Sequence, residues 1–362
     1  MTKIIQIAPR ILPAIDGVGD YAFILARELK KKYNIETSFI VGDPDWKGPS
    51  KIEGFDISKV NARTSKELSS LLCGISKQHL KEQGKINLVL QYVGYGYAKR
   101  GCPFWLVKGL EEWRKKYHPS KFATMFHELY AFGPPWRSSF WNSFAQKCLV
   151  KKISEMSDDG ITGLESYGRT LDGWRSKPKN QIKVLPVFSN IGEPSNIPLL
   201  KDRTRSLIVF GQTRKKIYQE LLAQLIRICE FLGIHQIYDI GPRIEVALPH
   251  TPIPVIELGV KSSEEISAIM LTAYAGFFNY QRAFLAKSGV FAAYAAHGLL
   301  PVTGEYIGDC DGLKKNKHYL IPDQNTKKMN PADFQLIADN VHEWYQNHNL
   351  SKHAAVYQTY FK

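Results

Sequence analysis

LGVKSSEEISAIMLTAYAGFFNYQRAFLAKSGVFAAYAAHGLLPV, residues 258–302, is the stretch whose reading decides the fold. It opens on the end of a β-rich run over 253–258, and SSEEI then starts a helical pattern over 262–272. AGFFNY reads as a strand over 275–280, KSG begins an Ala-rich helix over 288–297, and LLPVT reads as a strand over 299–303. Strand and helix alternate without a break, which is the pattern of βαβ units and a parallel sheet.

The same alternation continues on both sides. Downstream of residue 202 it predicts further strands at 206–210, 236–240 and 318–321, and helices at 214–232 and 331–347. In the first half it predicts strands at 3–8, 36–41, 86–92, 121–126, 160–163 and 182–187, with helices at 18–33, 103–117, 142–156 and 165–174. Between Phe188 and Asp202, SNIGEPSNIPLLKD has two Asn, two of its residues Pro, and no periodicity, so it reads as a linker. The expected fold is α/β, with two Rossmann-like domains facing each other across a cleft. They are an N-terminal acceptor domain over 1–195 and a donor domain over 196–345, followed by a tail over 346–362 that packs back on the first domain.

A chain of 362 residues, 44% hydrophobic and 23% charged, can bury two cores, and disorder does not dominate it. The longest nearly apolar stretch, Gly289 to Val302, is too short to span a bilayer. The N-terminus lacks the regions of a signal peptide, so a cytoplasmic protein is expected. Five scattered cysteines suggest neither a disulfide framework nor a zinc clip. Net charge is +14, and residues 1–195 carry 30 Lys and Arg against 19 Asp and Glu. A basic surface of this kind suits nucleic acid, anionic lipid or phosphorylated ligands. No nucleic-acid reading module accompanies it, so nucleic acid is not expected as a partner.

Open α/β sheets bind ligands at the carboxyl ends of their strands, which directs attention to the residues following each one. Gly17 and Gly19 precede a helix together with Asp20, and they fit either an anion site or a shaped loop. A dinucleotide fingerprint is disfavoured because Pro9 to Ile15 separate the strand from the glycines. His127 ends the fourth strand, ahead of the aromatic loop AFGPPWRSSFW, where an imidazole meets a substrate or sits as a structural residue. Arg214 and Lys215 open a helix after the first strand of the second domain, where an anion would relieve their opposition to the helix dipole. Lys287, Ser288 and Gly289 combine a cation, a hydroxyl and helix-start amides, with an ordinary Ser cap as the competing reading.

Taken in order, these features resemble the GT-B glycosyltransferases related to sucrose synthases and bacterial mannosyltransferases, and the likeness is strongest over 258–302. The resemblance implies transfer of a sugar from a nucleotide diphosphate sugar to a hydroxyl acceptor, with no cofactor besides that donor and no metal. It implies that Gly17 and Gly19 approach donor phosphate or acceptor, that His127 contacts the transferred sugar, and that Arg214 or Lys215 neutralises diphosphate. Leu258, Gly259 and Val260 would hold the nucleobase through backbone groups. Gln212, Leu285 and Ala293 stand where that family usually has an Arg and two Glu. The competing function is a non-catalytic module of the same fold that holds a nucleotide or glycan. Lipid-linked or glycan acceptors, and peripheral contact with an anionic membrane at its inner face, are further expectations. The basic residues offered for that contact are Lys30 to Lys32, Arg114 to Lys116, and Lys147 with Lys151 and Lys152.

Overall fold

The computed structural model describes every residue except 1, 118–119, 132–135, 137, 176–179, 245–250, 281–282, 305–309, 324–325 and 362. The chain divides into two compact units, Met1–Leu185 with Leu350–Lys362, and Pro186–Asn349.

In the first unit the elements run β1 (Thr2–Ala8), α1 (Gly17–Tyr33), β2 (Ile35–Val41), β3 (Lys51–Ile52), β4 (Phe55–Lys59), α2 (Ser65–Gln83), β5 (Asn87–Tyr92) and α3 (Gly94–Tyr97). They continue with α4 (Phe104–Lys116), β6 (Lys121–Phe126), α5 (Ser138–Met156), β7 (Asp159–Thr162), α6 (Glu165–Trp174) and β8 (Lys183–Val184). The strands form one sheet in the order β3-β4-β2-β1-β5-β6-β7-β8, parallel throughout except for the β3–β4 hairpin. Residues on both faces of the central strands are buried, as a parallel sheet covered by helices requires, which explains runs such as Ile4-Ile5 and Leu88-Val89-Leu90. On one side Phe23 of α1 stacks with Phe39 and meets Phe55 edge-on, joining helix to sheet.

The second unit contains β9 (Thr204–Phe210), α7 (Arg214–Glu220), α8 (Leu222–Leu232), β10 (Gln236–Ile240), β11 (Val255–Gly259), α9 (Ser263–Thr272), β12 (Ala273–Phe277), α10 (Gly289–Ala296), β13 (Leu300–Val302) and α11 (Pro331–Gln346). Its five strands are parallel in the order β11-β10-β9-β12-β13. Both sheets therefore reverse winding direction beside their first strand, between β1 and β5 and between β9 and β12, the switch points where such sheets bind ligands. Local chemistry fixes the helix starts. Ser262 with Glu265, and Asn330 with Asp333, form reciprocal capping boxes, and Pro331 follows the second cap.

Several sequence expectations need correction. The helix expected over 214–232 is two helices, broken at Leu221, whose side chain is buried beneath the junction. The strand expected over 318–321 is reduced to isolated bridges, Leu320 to Val302 and Tyr319 to Lys315. The unit boundary falls at Leu185/Pro186, ahead of the linker read at 188–202. That segment is held within the second unit: Val187 N donates to Ala286 O, Ser189 N to Tyr345 Oη and Leu200 N to Gln335 Oε1. The final helix, α12 (Leu350–Tyr360), belongs to the first unit and packs on α1, where Lys32 Nζ donates to Ser351 Oγ at 2.6 Å.

Candidate functional site

In the first unit the loop after β1 leads into α1. Asp16 caps that helix, its Oδ1 accepting from the amides of Val18 and Gly19 at 3.0 Å each, and Arg10 Nη2 donates to its Oδ2 at 2.9 Å. The anion that the helix start attracts is thus supplied by the chain itself. Gly19 is buried, and a Cβ there would run into the Arg10 carbonyl, so its glycine is required by the packing of loop on helix. Gly17 is exposed and has open space around it. Asp20 lies half-buried in the first turn of α1.

His127 follows β6 directly, its amide donating to Tyr92 O at the end of β5. Its Nε2 lies 2.8 Å from Gln91 Oε1, and the Tyr21 ring meets the imidazole edge-on at 5.0 Å. Tyr21 in turn places its hydroxyl 2.8 Å from Nδ1 of His353 on α12. Burial holds the Tyr21 phenol well above its ordinary pKa, so it remains a neutral hydroxyl. Beyond His127, Gln146 of α5 accepts from Ala131 N and donates to Arg100 O at 2.9 Å, tying two loops together. Gln91, Tyr21, His353 and Gln146 escaped the sequence reading, because each is meaningful only through a partner distant in sequence. Part of the aromatic loop, 132–135 and 137, lies outside the described residues.

The second unit gathers a different group. Gly211 closes the turn after β9 at φ +92°, and a Cβ there would lie 2.7 Å from Val290 Cγ2, so this turn rests against the start of α10. Ser288 is the N-cap of that helix, its Oγ accepting from Phe291 N at 3.2 Å. Gly289 leaves room beside it, with Asn190 Oδ1 3.7 Å from where its Cβ would be; that oxygen is buried without a hydrogen-bond partner. Lys287 is half-buried, its ammonium 5.2 Å from the Phe284 ring centre. Leu258, Gly259 and Val260 lie at the carboxyl end of the edge strand β11, with Val260 largely exposed and Gly259 O accepting from Gly241 N. Lys215 is exposed.

Arg214 requires reassignment. It is buried, its Nε bonds both oxygens of buried Asp239 at 2.9 and 3.1 Å, and its Nη2 donates to Pro242 O. Its guanidinium joins the β9 and β10 loops as an internal ion pair, and a diphosphate contact would have to compete with Asp239. Leu285 and Ala293 are both core residues. His297, at the end of α10, is also structural: Nδ1 donates to Ala293 O and Nε2 accepts from Ser267 Oγ, each at 2.8 Å. Burial pushes its pKa down to about 4.

Much of the basic surface is neutralised locally. Arg114 pairs with Asp158, Lys152 with Glu111 and Lys32 with Glu28, while Lys30 lies over the Phe55 ring. Among the described residues no group of His, Cys, Asp and Glu could hold a metal ion, and no helix is long and apolar enough to cross a membrane.

No protein-family model matches the chain, and no curated protein matches it in sequence. Solved structures do match it along its whole length. It is similar to sucrose-phosphate synthase from Thermosynechococcus elongatus at 14% identity and a TM-score of 0.66, covering 99% of this chain and 98% of that one. It is similar to a glycosyltransferase from Rickettsia africae at 12% and 0.61, covering 100% and 99%. A third similar structure is HepE of Anabaena, solved in complex with UDP and glucose, at 10% and 0.60, covering 99% and 100%. At such identities the likeness speaks for architecture, and with the two strand orders it places this chain in the GT-B fold, built from two Rossmann-like units.

Proposed function

We propose that this protein transfers a sugar from a nucleotide diphosphate sugar to a hydroxyl acceptor. The second unit would hold the donor and the first would hold the acceptor. The observation that carries this reading is the junction at the β9/β12 switch point, where the Gly211 turn rests on the start of α10 beside Lys287. A diphosphate there would meet helix-start amides and an ammonium, and the same groups would stabilise the negative charge of the departing nucleoside diphosphate. Lys215 adds an exposed cation nearby in sequence, and Leu258 to Val260 offer backbone groups to a base. HepE, of the same architecture, was solved with UDP and glucose, which favours a uridine nucleotide as the first donor to try. The scheme has no resident metal, the leaving-group charge being met by the cation and amides. His127, at the carboxyl end of β6 in the first unit, would contact the sugar.

Incubation with a panel of nucleotide sugars and acceptors tests the proposal: release of nucleoside diphosphate coupled to a glycosylated product is expected. The core positions of Leu285 and Ala293 favour a second reading, a nucleotide- or glycan-binding module without turnover. Tight donor binding with no release across the panel would establish that reading instead.

The acceptor side would meet an anionic membrane from its cytoplasmic face. Trp136, Phe140, Trp141 and Phe144 are exposed at and before the start of α5. Residues 129–154 contain no acidic residue, while Lys147 and Lys151 are exposed on that helix. Aromatic rings beside lysines suit the interface of an anionic bilayer. Sedimentation with anionic vesicles should be lost in Trp141→Ser/Phe144→Ser, and equal, negligible binding to anionic and neutral vesicles would remove this surface from consideration.

A further inference from the structure

The amide chain beneath His127 has a direction, and its direction is set by a backbone carbonyl. Gln6 Nε2 donates to Ala22 O of α1 at 2.7 Å, and a carbonyl can only accept. The amide of Gln6 is thereby oriented, with Oε1 turned to Gln91. Gln91 Nε2 donates to that oxygen at 3.4 Å, which fixes the second amide in the same sense. Gln91 therefore presents Oε1, an acceptor, to His127 Nε2 at 2.8 Å. An acceptor facing Nε2 requires a proton on that nitrogen. Both glutamines are fully buried, so reversing either amide would set like groups against each other away from water, at the cost of an unmade buried hydrogen bond.

We infer that Gln6 and Gln91 are positioning residues that hold His127 as its Nε2–H tautomer, with Nδ1 as the unprotonated ring nitrogen. One further contact holds the ring plane. Tyr21 meets the imidazole edge-on and is anchored to His353 of α12, and the Tyr357 hydroxyl is buried close to Tyr21 and Gln91. The final helix thus reaches the candidate site through Tyr21. The tautomer assignment stands on geometry alone, while its kinetic consequence rests on the sugar-transfer reading.

Long-range 1H–15N spectra of the full-length protein, labelled at histidine, read the tautomer without reference to activity. In the wild type above its imidazole pKa, His127 is expected as Nε2–H. Gln6→Met removes the amide that orients Gln91 and should convert a measurable fraction of His127 to Nδ1–H. Gln91→Glu retains an acceptor opposite Nε2, so it should keep the Nε2–H form and raise the imidazole pKa. With an active donor and acceptor pair, Gln6→Met should lower kcat about tenfold, the value of one hydrogen bond, with KM changed less. Gln91→Glu should retain more of the activity than Gln91→Leu. A wild-type Nδ1–H signal, or an unchanged tautomer in folded Gln6→Met, would overturn the inference. Absence of any sugar transfer with the expected spectra would instead count against the function and leave the tautomer assignment standing.

Discussion

Arg214 shows how far a residue type can mislead when its partner is distant in sequence. A cation opening a helix after a strand suggests an anion site, but the anion is Asp239, 25 residues on at the end of the neighbouring strand. Removing one member of a buried pair leaves an uncompensated charge, so Arg214→Ala should destabilise the second unit by about 3–5 kcal/mol. Urea unfolding checks this, and a variant of unchanged stability with weakened diphosphate binding would return Arg214 to the binding site. His297 supplies a pH prediction. Its folded pKa, near 4, lies below the unfolded value of about 6.5, so the unfolded chain binds the proton first as pH falls. The stability it contributes is complete above about 6.5 and is lost toward pH 4, by about 3 kcal/mol in total. His297→Gln should flatten the unfolding free energy measured between pH 7 and pH 4.5. At this scale the sequence was partly legible. Gly19 stood out as either part of an anion site or a loop-shaping glycine, and the close approach that its lack of a Cβ permits is to the Arg10 carbonyl. Gln6 and Gln91 were hidden, because an isolated Gln inside an apolar strand acquires meaning only when its neighbour across the sheet is known.

Elements were more legible than residues wherever periodicity was strong. The strand over 121–126 and the helix over 165–174 have the bounds their patterns indicate. The β3–β4 hairpin was not anticipated, since KIEGFDISK interleaves charges on an exposed sheet edge. The helix α12 lies in the tail expected over 346–362 to pack back on the first domain, although LSKHAAVYQTY has only a weak apolar stripe. Its buried residues, His353, Ala354 and Tyr357, make it part of the first unit. Tyr357→Ala should therefore destabilise that unit by about 3–5 kcal/mol, as removal of a large buried aromatic side chain does. Hydrogen exchange should show the loss in α1 and α12 and leave β9 to β13 unchanged. Equal loosening of both units would mean that α12 does not belong to the first unit alone.

Across the whole molecule, the alternation of strand and helix was enough to indicate two α/β units, because each βαβ step leaves few topologies open. The sequence could not supply the location of the boundary, since Pro186–Asp202 lacks periodicity and is ordered by contacts with Tyr345, Gln335 and Ala286. The uneven charge, +11 before residue 196 and +3 after it, was legible as a number but not as a surface. Ion pairs remove Arg114, Lys152 and Lys32 from the count of cations available to a partner. The central claim is that the second unit holds a nucleotide diphosphate, and hydrogen exchange with and without saturating nucleoside diphosphate tests it most directly. Binding to the native state should raise overall stability, with new protection at 211–216, 258–260 and 286–291. Protection confined to the first unit, or none with any nucleoside diphosphate, would contradict the account.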